Sequence, residues 1–377
     1  MEPFNRPYMT GREFDYIGEA HAQGMLAGDG SFTRRCHALL EQSLGCMKAL
    51  LTHSCTAALE MSALLAELGP GDEVIMPSYT FSSTANAFVL RGAVPVFVDI
   101  HPDTLNLDER LVEAAVTPRT RAIVAVHYAG VACEMDALAD IAQRRGLMLI
   151  EDAAQAYGSR WRGRPLGTLG ALGCLSFHET KNVISGEGGA LLVNDAALLR
   201  RAEILREKGT DRSAFFRGEV DKYRWVDLGS SYLPGELVAA FLLAQLEQAD
   251  DILRRRLDLW QHYHEALAPI EAGGALRRPI VPPLCAHNAH MYYVLLPSPA
   301  LRQEVIRRMR AAGVSPVFHY VPLHSSPAGR RFGRAATPMP HTDRVSQCLL
   351  RLPLWIGVDR ERVLSALVEA LDLNRPG

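Results

Sequence analysis

A chain of 377 residues, 48% hydrophobic and 22% charged, is too apolar to be disordered and long enough for two or three domain-sized units. Its formal net charge of −2 gives no reason to expect nucleic acid or an acidic membrane as a partner. No apolar run approaches the roughly 20 residues of a membrane span, and the first residues lack the basic-then-apolar order of a signal peptide. The seven cysteines include no Cys-x-x-Cys pair, so we expect neither a disulfide framework nor a metal site, and a reduced cytoplasm fits best.

Short β-rich runs alternate with helix-like segments over about residues 34–250. Seven of these runs are predicted to be strands: 48–52, 73–77, 94–100, 121–127, 147–152, 174–178 and 189–195. Between them, the segments 56–68 and 134–146 have helical patterns that stop at a glycine, as helix C-termini often do. This alternation predicts an α/β domain with a mainly parallel sheet that is covered by helices on both faces.

A different pattern follows in the last third of the chain. A helical pattern runs over 236–267, which is longer than most globular helices, so we expect a break in it. Such a helix could connect a large domain to a smaller one. The segments 291–297, 301–313 and 314–324 then resemble a small α+β unit.

The end of the first predicted strand carries a candidate anion site. Ser54, Cys55 and Thr56 lie between this strand and the start of a helix, where free backbone N–H groups and hydroxyls meet the positive end of the helix dipole. An ordinary Ser or Thr N-cap is the alternative interpretation.

Other candidates lie near the carboxyl ends of later strands, where α/β sheets bind ligands. Asp152 ends an almost wholly apolar strand, and a carboxylate there needs a cationic or hydrogen-bonding partner, such as a protonated pyridine nitrogen or a structural cap. Gln155 follows three residues later. Phe81 follows another strand and could stack on a planar ring or pack in the core.

Lys181 stands in the run "SFHETKN", shortly before "GEGG". A lysine amine is a nucleophile only when it is deprotonated, which requires burial or a neighbouring cation. The glycines permit close backbone approach. A solvated surface lysine is the alternative.

The order of these features resembles that of the fold-type I enzymes that use pyridoxal 5′-phosphate (PLP), and in particular the nucleotide-sugar aminotransferases. The resemblance covers almost the whole chain, from "GDGSFTRRC" at 28–36 to "RLPLWIG" at 351–357. It includes the runs "SCTAALEM", "GDEVIMPSYTF", "VHYAGVACEMD", "SFHETKN", "GEGGA", "FFRGEVDKY", "GSSYLP" and "NAHMYY". It implies an α/β fold with a large PLP-binding domain (1–250), built on a seven-stranded, mainly parallel sheet, and a small α+β domain (251–377).

The resemblance also implies roles for seven residues around the cofactor. These are Lys181 as the Schiff-base lysine, Asp152 at the pyridine nitrogen, Gln155 beside the phenolic oxygen, Phe81 on the ring face, and Thr56, the Cys55 backbone and Ser176 at the phosphate.

The chain departs from the wider family at one cofactor position. There, a partner subunit usually supplies an asparagine to the phosphate, whereas this chain has Ser231, whose side chain is shorter. In the run "HYVPLH", His319, Tyr320 and His324 are expected to border the sugar site or to be structural.

The resemblance implies a homodimer with sites at the subunit interface, a dTDP-linked ketosugar as amino acceptor and L-glutamate as donor, which leaves as 2-oxoglutarate. Three alternatives stay open from the sequence. The chain could act on another nucleotide ketosugar or form the opposite epimer, it could be a sugar dehydratase or aldolase, or it could be a non-catalytic module with the same fold.

Overall fold

The computed structural model describes residues 1–371. Its strands are β1 (Lys48–Thr52), β2 (Glu73–Pro77), β3 (Val94–Val98), β4 (Thr120–Val126), β5 (Met148–Asp152), β6 (Arg160–Trp161), β7 (Arg164–Pro165), β8 (Leu172–Ser176), β9 (Gly189–Val193), β10 (Cys285–Ala286), β11 (Tyr292–Leu295), β12 (Arg334–Ala335) and β13 (Leu349–Leu352).

The helices are α1 (Glu13–Ala22), α2 (Ser31–Leu44), α3 (Cys55–Leu65), α4 (Ser82–Val89), α5 (Glu109–Ala115), α6 (Met135–Arg145), α7 (Leu199–Arg206), α8 (Arg212–Phe216), α9 (Glu236–Leu246), α10 (Ala249–Ala266), α11 (Ala268–Ala272), α12 (Pro299–Ala311), α13 (Pro327–Phe332), α14 (Pro340–Cys348) and α15 (Arg360–Ala370). None of these helices within residues 1–371 is both long enough and apolar enough to cross a lipid bilayer.

The main sheet has eight strands in the order β1-β9-β8-β5-β4-β2-β3-β12. Only β9 runs antiparallel to its neighbours. The predicted mainly parallel sheet is therefore confirmed, and all seven predicted runs form strands. The expected count of seven was one too low, because β12 joins the edge beside β3. Strand β12 has only two residues, which is too short for the alternating pattern that predicts a strand, and it lies far from β3 in the sequence.

Successive side chains of each central strand point to opposite faces of the sheet, and both faces are buried. In β4, for example, Ile123 and Ala125 belong to a core that includes side chains of α1, α2, α6 and α9. Ala122, Val124 and Val126 belong to a second core with α3, α4 and α7. Because both faces of these strands are buried, their sequences are almost continuously apolar, as in "AIVAV".

The predicted break in the long helical pattern occurs between α9 and α10, at Glu247 and Gln248. Helix α9 packs against α1 and α2, whereas α10 packs against α11 and α15. A separate apolar cluster contains only residues from Leu259 onward, including side chains of α10, β11, α12, β13 and α15. The division into 1–250 and 251–377 remains a proposal that this cluster supports.

The segment 314–324, which was expected to belong to the small α+β unit, is mostly irregular. Among the described residues, its only β-bridges join Glu2 with Val314 and Val317 with Arg351, and the Leu323 N–H also donates to the Ser78 carbonyl at 3.0 Å. An irregular segment of this kind is free to turn across the carboxyl edge of the main sheet, where it brings His319 and Tyr320 close to Tyr79 and Tyr128.

Candidate active site

A cleft of about 540 Å³ lies at the carboxyl edge of the main sheet. Strands β1, β2, β4, β5 and β8 all end there, because they run in the same direction. Nine of the predicted site residues line the cleft: Cys55, Thr56, Phe81, Asp152, Gln155, Ser176, Lys181, His319 and Tyr320. The topology thus brings together side chains that lie more than 260 residues apart in the sequence.

Asp152 is the last residue of β5, and its side chain is buried at the cleft wall. Its Oδ2 atom accepts a hydrogen bond from the Thr84 hydroxyl at 2.7 Å, and Oδ1 accepts one from the Ala154 N–H at 3.2 Å. Burial raises the pKa of the Asp152 carboxyl, while these hydrogen bonds oppose the rise by favouring the ionised form. The arrangement orients a carboxylate that still needs a cationic partner.

Gln155 is held from both ends of its side-chain amide. Its Oε1 accepts a hydrogen bond from the Ala129 N–H at 2.7 Å, and its Nε2 donates one to the Tyr320 hydroxyl at 2.7 Å. Tyr320 stacks on His319 with ring centroids 3.7 Å apart, and His319 Nδ1 lies 2.6 Å from the Tyr128 hydroxyl. This network fixes which end of the Gln155 amide faces each neighbour.

Lys181 lies in a turn after β8, where its N–H donates to the His178 carbonyl at 2.9 Å. The cleft removes its amine from bulk water, and this desolvation lowers the pKa of Lys181. No carboxylate of residues 1–371 lies within ion-pair distance of the amine. A lysine in this state is closer to the neutral, nucleophilic form than a solvated one.

The glycines after Lys181 bring β9 against the start of α3. A Cβ atom added at Gly189 would lie 2.5 Å from the Cys55 nitrogen, which is shorter than any normal contact. The expectation that "GEGG" allows close backbone approach is therefore confirmed for Gly189. Its neighbour Gly186 needs glycine for a different reason, since its φ of +79° is unfavourable for other residues.

The structure agrees with both interpretations of the start of α3, which are an N-cap and an anion site. The Ser54 hydroxyl accepts a hydrogen bond from the Ala57 N–H at 3.1 Å and so acts as the N-cap. The Thr56 hydroxyl donates to Ser83 at 2.8 Å, which links α3 to α4. The N–H groups of Cys55 and Thr56 have no acceptor within the described residues and lie at the cleft wall. They can therefore bind an anion.

Phe81 lies at the mouth of the cleft, where 58% of its surface is exposed and its ring is 6.3 Å from that of Tyr320. His324 does not line the cleft. Its Nδ1 lies 2.8 Å from the Ser78 hydroxyl and its Nε2 lies 3.5 Å from Asp343, so its contacts are structural. Ser231 is exposed and also lies outside the cleft of its own chain.

Several other residues that line the cleft were not predicted from the sequence, among them Thr84, Phe4, His290 and Arg351. Thr84 comes from α4 and Phe4 from the N-terminal segment. His290 lies in the run "NAHMYY", and its Nδ1 lies 3.2 Å from the Asn182 side-chain oxygen. The polar residues in the runs "NAHMYY" and "LLRLP" were the only signals in the sequence for His290 and Arg351. Nothing in the spacing of these residues placed them in the cleft.

The residues present fit PLP. The free N–H groups of α3 and Ser176 suit a phosphate, the buried carboxylate of Asp152 suits a pyridinium nitrogen, and the Lys181 amine suits an aldehyde carbon. The Asp152 carboxylate and the Lys181 amine form no salt bridge among the described residues, and a bound group that pairs with both would offset the cost of their desolvation.

Comparison with known proteins agrees with this chemistry. Residues 7–371 match the model of the DegT/DnrJ/EryC1/StrS aminotransferase family. The aminotransferase TlmJ from Streptoalloteichus hindustanus has a TM-score of 0.90 at 31% identity, with 99% of each chain covered. DesV from S. venezuelae, solved in complex with a ketimine intermediate, has a TM-score of 0.87 at 31% identity and covers 97% of this chain and 95% of its own.

A further similar structure is Spr1654 from Streptococcus pneumoniae in its PLP form, with a TM-score of 0.89, 25% identity and 98% of both chains covered. The match over almost the whole chain and the geometry of the cleft lead to the same assignment. The chain belongs to the DegT/DnrJ/EryC1/StrS aminotransferase family and is a PLP-dependent sugar aminotransferase.

Proposed function

We propose that the protein transfers the amino group of L-glutamate to carbon 4 of dTDP-4-keto-6-deoxy-D-glucose, giving dTDP-4-amino-4,6-dideoxy-D-galactose. The observation that carries amino transfer is the presence of Lys181 and Asp152 in one cleft, where neither forms a salt bridge with another described residue. The choice of sugar is supported by resemblance to the transaminase that makes this product, in runs that include "FFRGEVDKY", "GSSYLP" and "HYVPLH". That product would serve the synthesis of cell-surface polysaccharide.

PLP, when bound, supplies an electron sink that stabilises negative charge on the substrate carbon. The task of Lys181 would be to move a proton at its Nζ atom between the substrate carbon and a carbon of the cofactor, in one direction with the donor and in the reverse direction with the sugar. The lowered pKa suits this task, because the amine must accept a proton and give it up again within each half of the reaction.

Asp152 would hold the protonated pyridine nitrogen, oriented by Thr84 and the Ala154 N–H. Gln155 would stand beside the phenolic oxygen, and its orientation is fixed by Ala129 and Tyr320. Because these side chains are already hydrogen-bonded, they would not have to reorganise when substrate binds.

We also propose a homodimer in which Ser231 of one chain approaches the cofactor phosphate in the partner's cleft. The apolar run 237–246 gives little support for this, since most of α9 is buried within its own chain. A better reason is that the part of the chain before Ser231 has exposed aromatic side chains, since Phe216 is 69% and Trp225 is 81% exposed. Exposed apolar groups of this size are typical of an interface.

The cytoplasm is the proposed location. All seven cysteines are free, and Cys36, Cys133 and Cys174 are core residues with at most 1% exposure, as in proteins that work under reducing conditions.

The test is an assay of the purified protein with L-glutamate and a panel of dTDP-ketosugars, followed by proton NMR of the product. A small coupling between the protons on carbons 3 and 4 marks an axial amine and the galacto product. A large coupling identifies the gluco epimer and refutes the stereochemical part of the proposal. No reaction with this ketosugar, but reaction with another, refutes the substrate. Lys181→Ala is the control, since it removes the amine that moves the proton.

A further inference from the structure

A second cavity, of about 440 Å³, lies outside the active-site cleft and shares no lining residue with it. Three parts of the chain form its walls, namely the loop after β3 at Pro102, the segment 274–277 with the adjoining end of β11, and one face of α14. None of these residues was predicted from the sequence as a site residue. A cavity of this volume is large enough for a small organic molecule.

The face of α14 toward the cavity combines basic and apolar side chains. His341, Arg344, Val345 and Cys348 line the cavity, and their spacing of three, four and seven residues places them on one face of the helix. His341 and Arg344 are exposed, whereas Val345 and Cys348 are buried. The helix therefore presents apolar side chains to the interior of the cavity and basic ones to its outer edge.

Arg277 contributes a second guanidinium from another wall. Its backbone is fixed by two hydrogen bonds of 2.9 Å to Leu295 of β11. Its Nε atom is buried and has no hydrogen-bond partner within residues 1–371. Arg344 forms no salt bridge with any residue that the structure describes. A buried donor without an acceptor is unfavourable, so an acceptor supplied by a ligand would stabilise this wall.

The carboxylates near the cavity leave this positive charge largely unpaired. No aspartate or glutamate is among the described residues that line the cavity. Asp103 reaches Arg277 Nη1 only at 3.5 Å, and its own side chain is 64% exposed, so this pair is weak. Asp99 is engaged elsewhere, since it accepts the N–H groups of His341 and Thr342 at 3.1 and 2.9 Å. The cavity therefore favours an anion.

The rest of the lining is mostly apolar. It includes two prolines and four aliphatic side chains, Leu276, Leu295, Leu296 and Val345. Within residues 1–371, no amide or hydroxyl side chain lines the cavity that could pair with the polar edge of a nucleobase or with the hydroxyls of a sugar. Such groups would lose their hydrogen bonds to water on entering. The body of a ligand that fits here is therefore apolar.

We infer that this cavity binds a small organic phosphate with an apolar body. A phosphate group carries a charge of about −1.5 to −2 at neutral pH and three acceptor oxygens, which suit two arginines and a histidine better than a single carboxylate does. The planar guanidinium groups of Arg277 and Arg344 match phosphate oxygens in pairs. Since the cavity lies outside the cleft, the inference is independent of which sugar the enzyme uses.

A layer of aromatic side chains separates the cavity from the cleft. Val345 lines the cavity and packs in the same apolar cluster as Tyr79 and Tyr128. On the cleft side of that cluster, the Tyr128 hydroxyl lies 2.6 Å from His319 Nδ1. We therefore do not expect a ligand in the cavity to compete with PLP, and binding is measured on the PLP-loaded protein.

Isothermal titration calorimetry with 4-bromophenyl phosphate tests the inference. We expect saturable binding with a dissociation constant below about 1 mM, since the ring fills the apolar part of the cavity and the head pairs with the arginines. Inorganic phosphate lacks the apolar body and 4-bromobenzyl alcohol lacks the charge, so each should bind at least roughly tenfold more weakly. 4-Bromobenzoate, with a single negative charge, should bind roughly three- to tenfold more weakly.

Two substitutions identify the residues that hold the probe. Arg277→Met and Arg344→Met each keep an unbranched side chain and remove the guanidinium, so each should weaken binding roughly tenfold or more. Arg310→Met is the matched control, because Arg310 is an exposed arginine of α12 that does not line the cavity. It should leave the affinity unchanged. If Arg277→Met does not fold, the exposed position of Arg344 still provides the readout.

The bromine atom locates the probe. Crystals of the PLP-loaded protein soaked in 4-bromophenyl phosphate should show an anomalous bromine peak between α14 and the segment 274–277. The inference is overturned by a lack of saturable binding, by a peak in the active-site cleft alone, or by unchanged affinity in both Arg277→Met and Arg344→Met. Inorganic phosphate that binds as tightly as the probe would overturn the apolar body, and equally tight binding of 4-bromobenzoate would overturn the choice of phosphate.

Discussion

Thr84, on helix α4, donates a hydrogen bond of 2.7 Å to the Asp152 carboxylate at the end of β5. The same hydroxyl lies 2.8 Å from that of Thr80, so a short chain of hydroxyls supports the carboxylate. Because this bond favours the ionised form, it keeps the pKa of Asp152 from rising further in its buried place.

Thr84→Val keeps the shape of the side chain and removes the donor. The pKa of Asp152 should therefore rise, so the acid limb of the pH–rate profile should move to higher pH, by about one unit for the loss of one hydrogen bond to a charged group. At pH values below the midpoint of the acid limb, turnover should fall about tenfold, because a rise of one pKa unit lowers the ionised fraction of Asp152 tenfold there. Thr84→Ser should restore the profile, whereas an unchanged acid limb in Thr84→Val would contradict the role given to this hydroxyl.

Asp152→Asn should fold, since the amide is close in size to the carboxylate and can still accept from Thr84. It should lose most of its turnover, by 100-fold or more, because the pyridine nitrogen would no longer be held in its protonated form. The absorbance of the bound cofactor and the rate of amino transfer from L-glutamate measure the two effects separately. Near-normal rates in a PLP-loaded variant would reject the assignment of Asp152.

Gly189→Ala should weaken PLP binding at least tenfold and lower the melting temperature. The added methyl group would lie 2.5 Å from the Cys55 nitrogen and would push β9 away from the start of α3. Gly186→Ala is the matched control. Its φ of +79° makes that substitution strained, at about 1 kcal/mol, but no atom lies within 4 Å of the new methyl group. The control should therefore lose stability and keep its affinity for PLP, as measured by titration of the apoprotein.

His37 should make the protein sensitive to acid. Its Nε2 accepts a hydrogen bond of 2.9 Å from the Leu51 N–H, and burial lowers its pKa from 6.5 to about 3. The unfolded chain therefore binds a proton below pH 6.5 that the folded chain does not. This contribution to stability is complete above pH 6.5 and is lost as the pH falls toward 3, at about 1.4 kcal/mol per pH unit.

In His37→Gln, the free energy of unfolding should decrease less steeply between pH 6 and pH 4 than in the normal protein, by up to that amount per unit. Denaturant titrations at several pH values measure the slope. The exposed residue His21 provides the control, since His21→Gln should leave the slope as it is. Identical slopes in His37→Gln and the normal protein would show that His37 does not titrate as its environment indicates.

The helices and strands that have a periodic apolar pattern could be predicted from the sequence. The seven main strands and the break after α9 follow from apolar patterns, and residues such as Asp152 and Lys181 stand at strand ends, where topology alone places ligands. Arg351 could not be predicted as a cleft residue, because its place depends on the pairing of β13 with the irregular segment at Val317. Pairing between distant segments of this kind leaves no local signal in the sequence.

His324 shows the opposite error. It lies in the same run as His319 and Tyr320, which do line the cleft, and the run is irregular, so its side chains follow no period. The hydroxyl of Ser78, 246 residues earlier, draws the His324 ring away from the cleft. Long-range hydrogen bonds of this kind decide the direction of side chains in loops and leave no trace in spacing.

Strand β12 is only two residues long, yet it is the outermost member of the main sheet. Without it, β3 would be an uncovered edge, whose free N–H and C=O groups could pair with a strand of another molecule. Arg334 also binds the buried Glu73 carboxylate of β2, at 2.8 and 3.1 Å. Since β12 comes some 240 residues after β3, a chain still on the ribosome would have this edge open until nearly all of its length had been made. Chaperones that cover exposed strands would therefore matter most during that interval.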